Sequence, residues 1–191
     1  MEALLTSAAV VALAEIGDKT QLLAIILATR FRRPWPIIAG IFAATLANHF
    51  LAALVGEQVA NLLDGHWFRY AVAGSFIAMA AWTLVPDKVD DAPQQDSRYG
   101  AFLTTLVAFF LVEMGDKTQV ATIALGARFH SVLPVMTGTT LGMMLANVPA
   151  VFLGEALIAR VPLGVVRMLA ALLLLAVGLW LLLQTAGLLP G

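Results

Sequence analysis

The sequence has no cysteine. The chain therefore has no disulfide, no thiolate ligand for a soft metal and no cysteine nucleophile. Charged residues are also few, at 12% of the 191 residues, whereas a soluble domain has about 25%. The formal net charge is −1, so no basic surface marks a nucleic-acid partner. These absences argue against a thiol enzyme and a nucleic-acid-binding protein.

Apolar residues dominate the composition. Hydrophobic residues make up 61% of the chain, and the mean hydropathy is +0.91. The longest polar stretch runs only from residue 86 to residue 98. Residues 1–14 carry no basic segment of the kind that begins a signal peptide, so we expect the first apolar stretch to remain as a span. The composition predicts an all-α integral membrane protein.

Six apolar segments are long enough to cross a bilayer, which takes roughly 20 helical residues. They cover about 4–29, 35–63, 67–85, 101–127, 132–159 and 163–185. An acidic segment divides the six spans into two groups of three. We expect a first three-helix repeat over 1–85, a cytoplasmic acidic linker over 86–99 and a second three-helix repeat over 100–191.

One motif occurs twice, at equivalent places in the two halves. Residues 15–21 read Glu-Ile-Gly-Asp-Lys-Thr-Gln, and residues 113–119 read Glu-Met-Gly-Asp-Lys-Thr-Gln, 98 positions later. The same offset relates Gly40 to Gly138. Because each half has an odd number of spans, the second half enters the membrane from the opposite side. The sequence thus predicts six transmembrane helices as two inverted three-helix repeats, an arrangement typical of secondary transporters.

Basic residues predict the orientation, because lysine and arginine are enriched in cytoplasmic loops. Seven lie after the first, third and fifth spans: Arg30, Arg32, Arg33, Lys88, Arg98, Arg160 and Arg167. The opposite side has only Arg69 and Arg128. We therefore expect both termini outside the cytoplasm and the linker inside.

The motif acids lie near the middle of their spans, where an ionisable residue is costly and is functional by default. At about 100° per residue, Glu15 and Asp18 share one helical face, which Gln21 extends, and Lys19 lies four residues from Glu15. Gly17 points away, where it favours close helix contact or a local break that frees carbonyls. We expect the two halves to bring four acids together as the metal site: Glu15, Asp18, Glu113 and Asp116.

The four carboxylates and two motif lysines carry a net charge of −2 when all are ionised, which one divalent cation would neutralise. Protons neutralise the same cluster, so the two ions compete, and this competition is the physical basis of antiport. Carboxylate, amide and hydroxyl oxygens suit Mg²⁺, Ca²⁺ or Mn²⁺ rather than Cu(I) or Zn²⁺. The structural alternative is a pair of salt bridges, Glu15–Lys19 and Glu113–Lys117, that hold the bundle together.

Other polar residues are candidate secondary ligands or gate residues: Lys19, Thr20, Gln21, Lys117, Thr118, Gln119, Asn48 and Asn147. The two asparagines align only when the offset shifts to 99, and they fit an ion shell or helix–helix hydrogen bonding equally well. His49 is interpreted as a packed core histidine in preference to a ligand. Glu57 and Glu155 fit either vestibule acids that attract cations or acids at the level of the lipid headgroups.

These residues resemble the transmembrane protein 165 family, a group of small membrane proteins related to the lysine exporter superfamily. The doubled Glu-x-Gly-Asp-Lys-Thr, in the first and fourth of six spans around a short acidic linker, carries the resemblance over essentially the whole chain. The resemblance implies transport of Mn²⁺, with Ca²⁺ as another substrate, in exchange for protons. For a bacterial member, which the short linker favours, it implies Mn²⁺ efflux across the inner membrane. It also assigns the family's motif acids to Glu15, Asp18, Glu113 and Asp116.

Three other functions fit parts of the sequence. An exporter of an organic cation or amino acid is the nearest alternative, although no aromatic residue lies within the first motif to form a cage. A membrane enzyme would need a metal-bound water or a phosphate-binding arginine near the motif, and neither pattern is present. A passive scaffold would tolerate loss of the motif acids. We therefore expect no enzyme and no resident cofactor; the expected partners are lipid, a divalent cation and protons, and the oligomeric state is open.

Overall fold

The computed structural model describes residues 1–63, 65–85, 100–154 and 162–189. Within these ranges the only regular secondary structure is α-helix, which confirms the all-α prediction. The eight helices are α1 (Glu2–Glu15), α2 (Lys19–Phe31), α3 (Pro34–Leu62), α4 (His66–Thr83), α5 (Gly100–Glu113), α6 (Lys117–Phe129), α7 (Val132–Leu153) and α8 (Leu163–Thr185). The predicted linker over 86–99 and the acid Glu155 lie outside the described residues.

Three of these helices are long and apolar enough to cross a membrane, namely α3, α7 and α8, and α5 is a shorter apolar helix. The exposed side chains of α8 include Val165, Leu169, Leu172 and Trp180. Large apolar side chains that face outward along a whole helix are expected where the surroundings are lipid. The chain is thus built as a membrane protein of several spans.

The predicted spans differ from the helices at the two motifs. The expected spans over 4–29 and 101–127 each consist of two helices, which meet at the motif. The predicted position of Lys19 beside Glu15 on one continuous helix is therefore wrong. The local break at Gly17, which the sequence left open, is present. The fifth predicted span ends earlier among the described residues, because α7 ends at Leu153.

The two repeats pack on each other reciprocally. Gly40 on α3 lies against α5, where an added Cβ would come 2.8 Å from Thr105 Cβ. Gly138 on α7 lies against α1, where an added Cβ would come 2.9 Å from Ser7 Cβ. Each residue of the second contact is 98 positions from its counterpart in the first. The first helix of each repeat therefore packs closely on the third helix of the other.

The apolar core forms two clusters. One joins α4, α6 and α8 through Phe76, Leu125 and Leu174. The other joins α2, α3 and α5 and includes Ile41 and Phe109. Because each cluster contains helices of both repeats, neither repeat buries its apolar surface alone.

We expect Gly142→Ala to destabilise the contact between α1 and α7. The added Cβ would lie 2.8 Å from Ala12 N and 2.5 Å from Ala8 O, and backbone atoms cannot move aside as a side chain can. Overpacking of this kind costs about 1–3 kcal/mol. Thermal unfolding in detergent should show a lower midpoint for this variant.

Gly74→Ala on α4 is the matched control, because no atom lies within 4 Å of its added Cβ. Alanine there should stabilise the helix by about 0.5–1 kcal/mol. If Gly142→Ala unfolded at the same temperature as Gly74→Ala, the close contact of α1 with α7 would be contradicted.

Candidate metal centre

Both motifs fold into the same helix break. The helix α1 ends at Glu15 and α2 begins at Lys19; between them Gly17 has a φ of +83°. The second break is equivalent, and Gly115 has a φ of +79°. This left-handed conformation is readily adopted only by glycine. It ends one helix and redirects the chain, so the aspartate that follows becomes the N-cap residue of the next helix.

A glutamine binds the backbone at each break. Gly17 N–H donates to Gln21 Oε1 at 2.9 Å, and Gly115 N–H donates to Gln119 Oε1 at 2.6 Å. Gln21 also donates through Nε2 to the carbonyl of Ala146 on α7, at 2.9 Å. The first break is therefore held both to its own helix and to the other repeat.

We expect Gln21→Leu to destabilise the protein by about 2–4 kcal/mol. The substitution removes the partner of the partly buried Gly17 N–H and of the buried Ala146 carbonyl, and each such loss costs about 1–3 kcal/mol. Gln119→Leu is the matched control, since its one backbone bond is exposed and water can replace it. Equal unfolding temperatures for the two variants would contradict the bracing role of Gln21.

The four motif carboxylates are buried. The exposed fractions are 0% for Glu15, 6% for Asp18, 1% for Glu113 and 3% for Asp116. One carboxylate oxygen from each of Glu15, Asp18 and Asp116 lies within 4.8 Å of the others. The cluster therefore combines two acids of the first motif with one of the second.

The carboxylates keep oxygens available to a ligand. Within the described part of the chain, Glu15 Oε1, Asp116 Oδ2 and Glu113 Oε2 are buried and accept no hydrogen bond. A buried polar atom without a partner is costly, so a site of this kind favours a bound cation or a proton. The oxygen donors are of the type that Mg²⁺, Ca²⁺ and Mn²⁺ prefer.

Hydroxyls and helix ends stabilise the acids. Thr20 donates a hydrogen bond to Glu15 Oε2, and Thr118 donates to Glu113 Oε1 at 2.7 Å. Asp18 and Asp116 occupy the N-cap positions of α2 and α6. The partial positive charge of a helix N-terminus stabilises a carboxylate there.

The motif lysines occupy different surroundings. Lys19 Nζ lies 3.0 Å from Asp116 Oδ1, so an ion pair joins the two repeats. Lys117 donates to the carbonyl of Val85 at 3.1 Å and lies over the Trp82 ring. Lys19 is partly exposed, at 31% of its side chain, whereas Asp116 is buried. The ion pair therefore extends from the buried carboxylate of Asp116 to the partly exposed side chain of Lys19.

A narrow cleft reaches the first break. Its volume is about 10 Å³, and its lining includes Asp18, Lys117 and Arg167. Because a cavity needs about 10–15 Å³ to hold one water, the cleft has room for no more than a single water. The carboxylates are thus nearly closed off from solvent in this conformation.

The asparagines bind helix backbone. Asn48 donates through Nδ2 to the carbonyl of Phe110 on α5 at 3.0 Å. Asn147 donates through Nδ2 to the carbonyl of Met143 on its own helix at 3.1 Å, and its Oδ1 is buried without a hydrogen bond among the described residues.

His49 lies beside the second motif, where the sequence did not place it. It is fully buried on α3, and its Nε2 lies 3.4 Å from Glu113 Oε1. The unshifted offset of 98 pairs His49, and not Asn48, with Asn147. That pairing was the signal that could have placed His49 at the second motif.

Comparisons with known proteins give one consistent picture. The family model described as divalent cation/proton antiporter GDT1 matches residues 3–91 and 101–188. A Vibrio cholerae protein named "Putative manganese exporter" is 50% identical over 180 residues, which cover 94% of this chain and 90% of that protein. A GDT1-like protein of Synechocystis is 28% identical over 89% of this chain and 92% of its own length. An Arabidopsis thaliana GDT1-like protein is 27% identical over 91% and 92%. No solved structure matches.

Proposed function

Because this chain belongs to the GDT1 family of divalent cation/proton antiporters, we propose that it exports Mn²⁺ from bacteria across the inner membrane in exchange for protons. Ca²⁺ is a second substrate. The family expected from the doubled motif, the transmembrane protein 165 family, is confirmed. The name of the relative that is 50% identical supports Mn²⁺ as the main ion.

The observation that carries the proposal is the meeting of both motifs at one buried place. Oxygens of Glu15, Asp18 and Asp116 lie within 4.8 Å of one another, a separation that one cation can bridge. Bonds from Ca²⁺ to oxygen are about 2.3–2.6 Å long, so two oxygens on opposite sides of the ion are about 4.6–5.2 Å apart. We assign the transported ion to this cluster, with Glu113 beside it.

Exchange follows from the charge of the cluster. The three buried carboxylates, of which Asp18 lines the cleft, repel one another, and either a dication or protons relieve that repulsion. The ion that leaves must be replaced, because an empty cluster of buried charges is unfavourable. Lys19, whose Nζ lies 3.0 Å from Asp116 Oδ1, supplies a movable positive charge at the outer edge and acts as a gate.

The size of the cleft favours an inorganic ion. In this conformation the cleft of about 10 Å³ beside Asp18 has room for a group the size of a water, but not for an amino acid or an organic cation. The alternative of an organic-cation exporter would require a much larger opening at the same place.

The membrane arrangement that supports exchange is two inverted three-helix repeats, 1–85 and 100–191, joined by a cytoplasmic linker over 86–99. The reciprocal contacts of Gly40 with α5 and Gly138 with α1 support it, since each repeat offers the other the same surface. The excess of basic residues on one side supports extracytoplasmic termini. The cleft beside Arg167 would then open toward the cytoplasm.

The proposal predicts that a pH gradient drives Mn²⁺ into proteoliposomes that contain the purified protein. A Mn²⁺-sensitive dye in the lumen would report uptake with and without an acidic lumen. We expect accumulation that collapses when a protonophore removes the gradient, and slower transport of Ca²⁺. Folded protein that moves neither ion under any gradient would contradict the proposal.

A further inference from the structure

We propose that His49 and Glu113 add a nitrogen and an oxygen ligand to the transported metal beside the cluster of Glu15, Asp18 and Asp116, and that the nitrogen ligand makes the protein prefer Mn²⁺ over Ca²⁺. The inference rests on the proposed function. His49 lies outside both motifs, and in this proposal it determines the selectivity between two ions that accept the same oxygen ligands.

The first observation is the environment of the imidazole. His49 is fully buried, and within the described residues its Nδ1 accepts or donates no hydrogen bond. Its Nε2 lies 3.4 Å from Glu113 Oε1. Buried histidines in a packed core normally have partners on their ring nitrogens. Simple packing therefore does not account for this one.

The second observation is that the contact is a poor hydrogen bond. Such bonds to nitrogen measure about 2.7–3.2 Å, and Glu113 Oε1 already accepts one from Thr118 at 2.7 Å. Two ligands at adjacent corners of an octahedral ion, with bonds of about 2.0–2.6 Å, are about 2.8–3.7 Å apart. A separation of 3.4 Å between Nε2 and Oε1 is long for a hydrogen bond, and it falls within the range expected for two ligands of one metal.

The third observation is an asymmetry between the repeats. The position equivalent to His49 in the second repeat is Asn147, which offers an amide oxygen where His49 offers an imidazole nitrogen. Asn147 Oδ1 is also buried without a hydrogen bond among the described residues. The two equivalent positions thus differ in donor atom: His49 offers a nitrogen beside Glu113, whereas Asn147 offers an amide oxygen.

The difference in donor atom has a chemical consequence. Ca²⁺ is bound almost entirely by oxygen, whereas imidazole nitrogen suits transition metals. A nitrogen ligand therefore lowers the binding affinity for Ca²⁺ and Mg²⁺ more than it lowers the affinity for Mn²⁺. The four acids alone would hold any of the three ions.

Pulsed electron paramagnetic resonance tests the assignment directly, because it detects nitrogen nuclei bonded to Mn²⁺. The sample is the double variant His66→Gln/His130→Gln, which keeps His49 as its one histidine. Both replaced residues are exposed, so the fold should be retained. We expect a ¹⁴N coupling to Mn²⁺ that changes to the ¹⁵N pattern when the protein is grown with ¹⁵N-histidine.

A transport assay gives the second readout. Since even an outer-shell partner of a metal site is worth about 10- to 100-fold in affinity, we expect His49→Gln to lower the ratio of Mn²⁺ to Ca²⁺ transport at least tenfold. The wild-type ratio should be kept by His66→Gln/His130→Gln. An unchanged ratio in folded His49→Gln protein would overturn the assignment.

Different results would contradict the role of His49 and the proposed antiporter function. Mn²⁺ bound to the protein without any nitrogen coupling would overturn the role of His49 and leave the antiporter intact. A wild-type protein that binds no Mn²⁺ would overturn both. Nitrogen coupling in a protein that does not transport Mn²⁺ would leave a metal site but contradict the proposed function.

Discussion

Glu15→Gln is expected to reduce Mn²⁺ transport at least 100-fold while the protein still accumulates in the membrane. Glutamine matches glutamate in shape, so the fold should be retained. It removes one of the three charges that lie within 4.8 Å of one another at the helix breaks. Removing one carboxylate from a buried pair of carboxylate and cation costs about 3–5 kcal/mol, which is about two to four orders of magnitude in binding.

The control for this prediction is Glu2→Gln, on the same helix but at its exposed first turn. It makes the same chemical change without touching the cluster and should transport Mn²⁺ as the wild type does. The assay is dye-reported Mn²⁺ uptake, with thermal unfolding to show that both variants are folded. Wild-type uptake by folded Glu15→Gln protein would remove Glu15 from the ion pathway.

Gly17→Ala is expected to reduce transport at least tenfold, through backbone strain rather than through loss of a charge. Alanine at a φ of +83° costs about 1–2 kcal/mol. Its Cβ would also lie 2.6 Å from Leu163 Cδ2, and rotation of the flexible Leu163 side chain can partly relieve this clash. The strain favours a return to helical φ, and that rotation would move Asp18 away from Glu15 and open the cluster.

Two companion variants separate the causes. Gly115→Ala has nearly the same φ, +79°, and no atom within 4 Å, so it tests the backbone strain alone and should also impair transport. Gly164→Ala, next to Leu163 on α8, has open space and no positive φ, so it should behave as the wild type does. If both break variants transported Mn²⁺ normally, the breaks would not be needed to position the acids.

Much of the helical layout can be predicted from the sequence. The expected span over 163–185 matches the helix α8, and the 98-residue offset relates the bounds of α1 to α5 and of α2 to α6. These features depend on the length of the apolar segments and on sequence duplication, both of which can be read from the amino-acid sequence. They show where helices lie, but not whether a helix continues through a polar motif.

The helix breaks could not be predicted from segment length or duplication. Helical periodicity places Glu15, Asp18 and Lys19 by assuming a constant turn per residue, and one positive φ at Gly17 invalidates the assumption. As a result Lys19 pairs with Asp116 of the other repeat. The repeated glycine at 17 and 115 permitted a break, but only the fold shows that it is used.

The position of His49 beside Glu113 could not be predicted for a different reason. The alignment that matched Asn48 with Asn147 needed a one-residue shift, and the shift hid the equivalence of His49 and Asn147. Contacts between α3 and α5 bring together residues 64 positions apart, which no local pattern reveals. Long-range packing therefore decides which polar residues surround the motif acids.

The most direct test of the account is the flow of protons that Mn²⁺ itself drives. Proteoliposomes with a pH-sensitive dye in the lumen would receive external Mn²⁺ at equal starting pH, with the membrane voltage clamped by potassium and valinomycin. Competition of Mn²⁺ and protons for Glu15, Asp18 and Asp116 predicts that the lumen becomes alkaline in proportion to Mn²⁺ uptake, and that Glu15→Gln abolishes both signals. Uptake of Mn²⁺ with no change in lumenal pH would contradict exchange at the cluster.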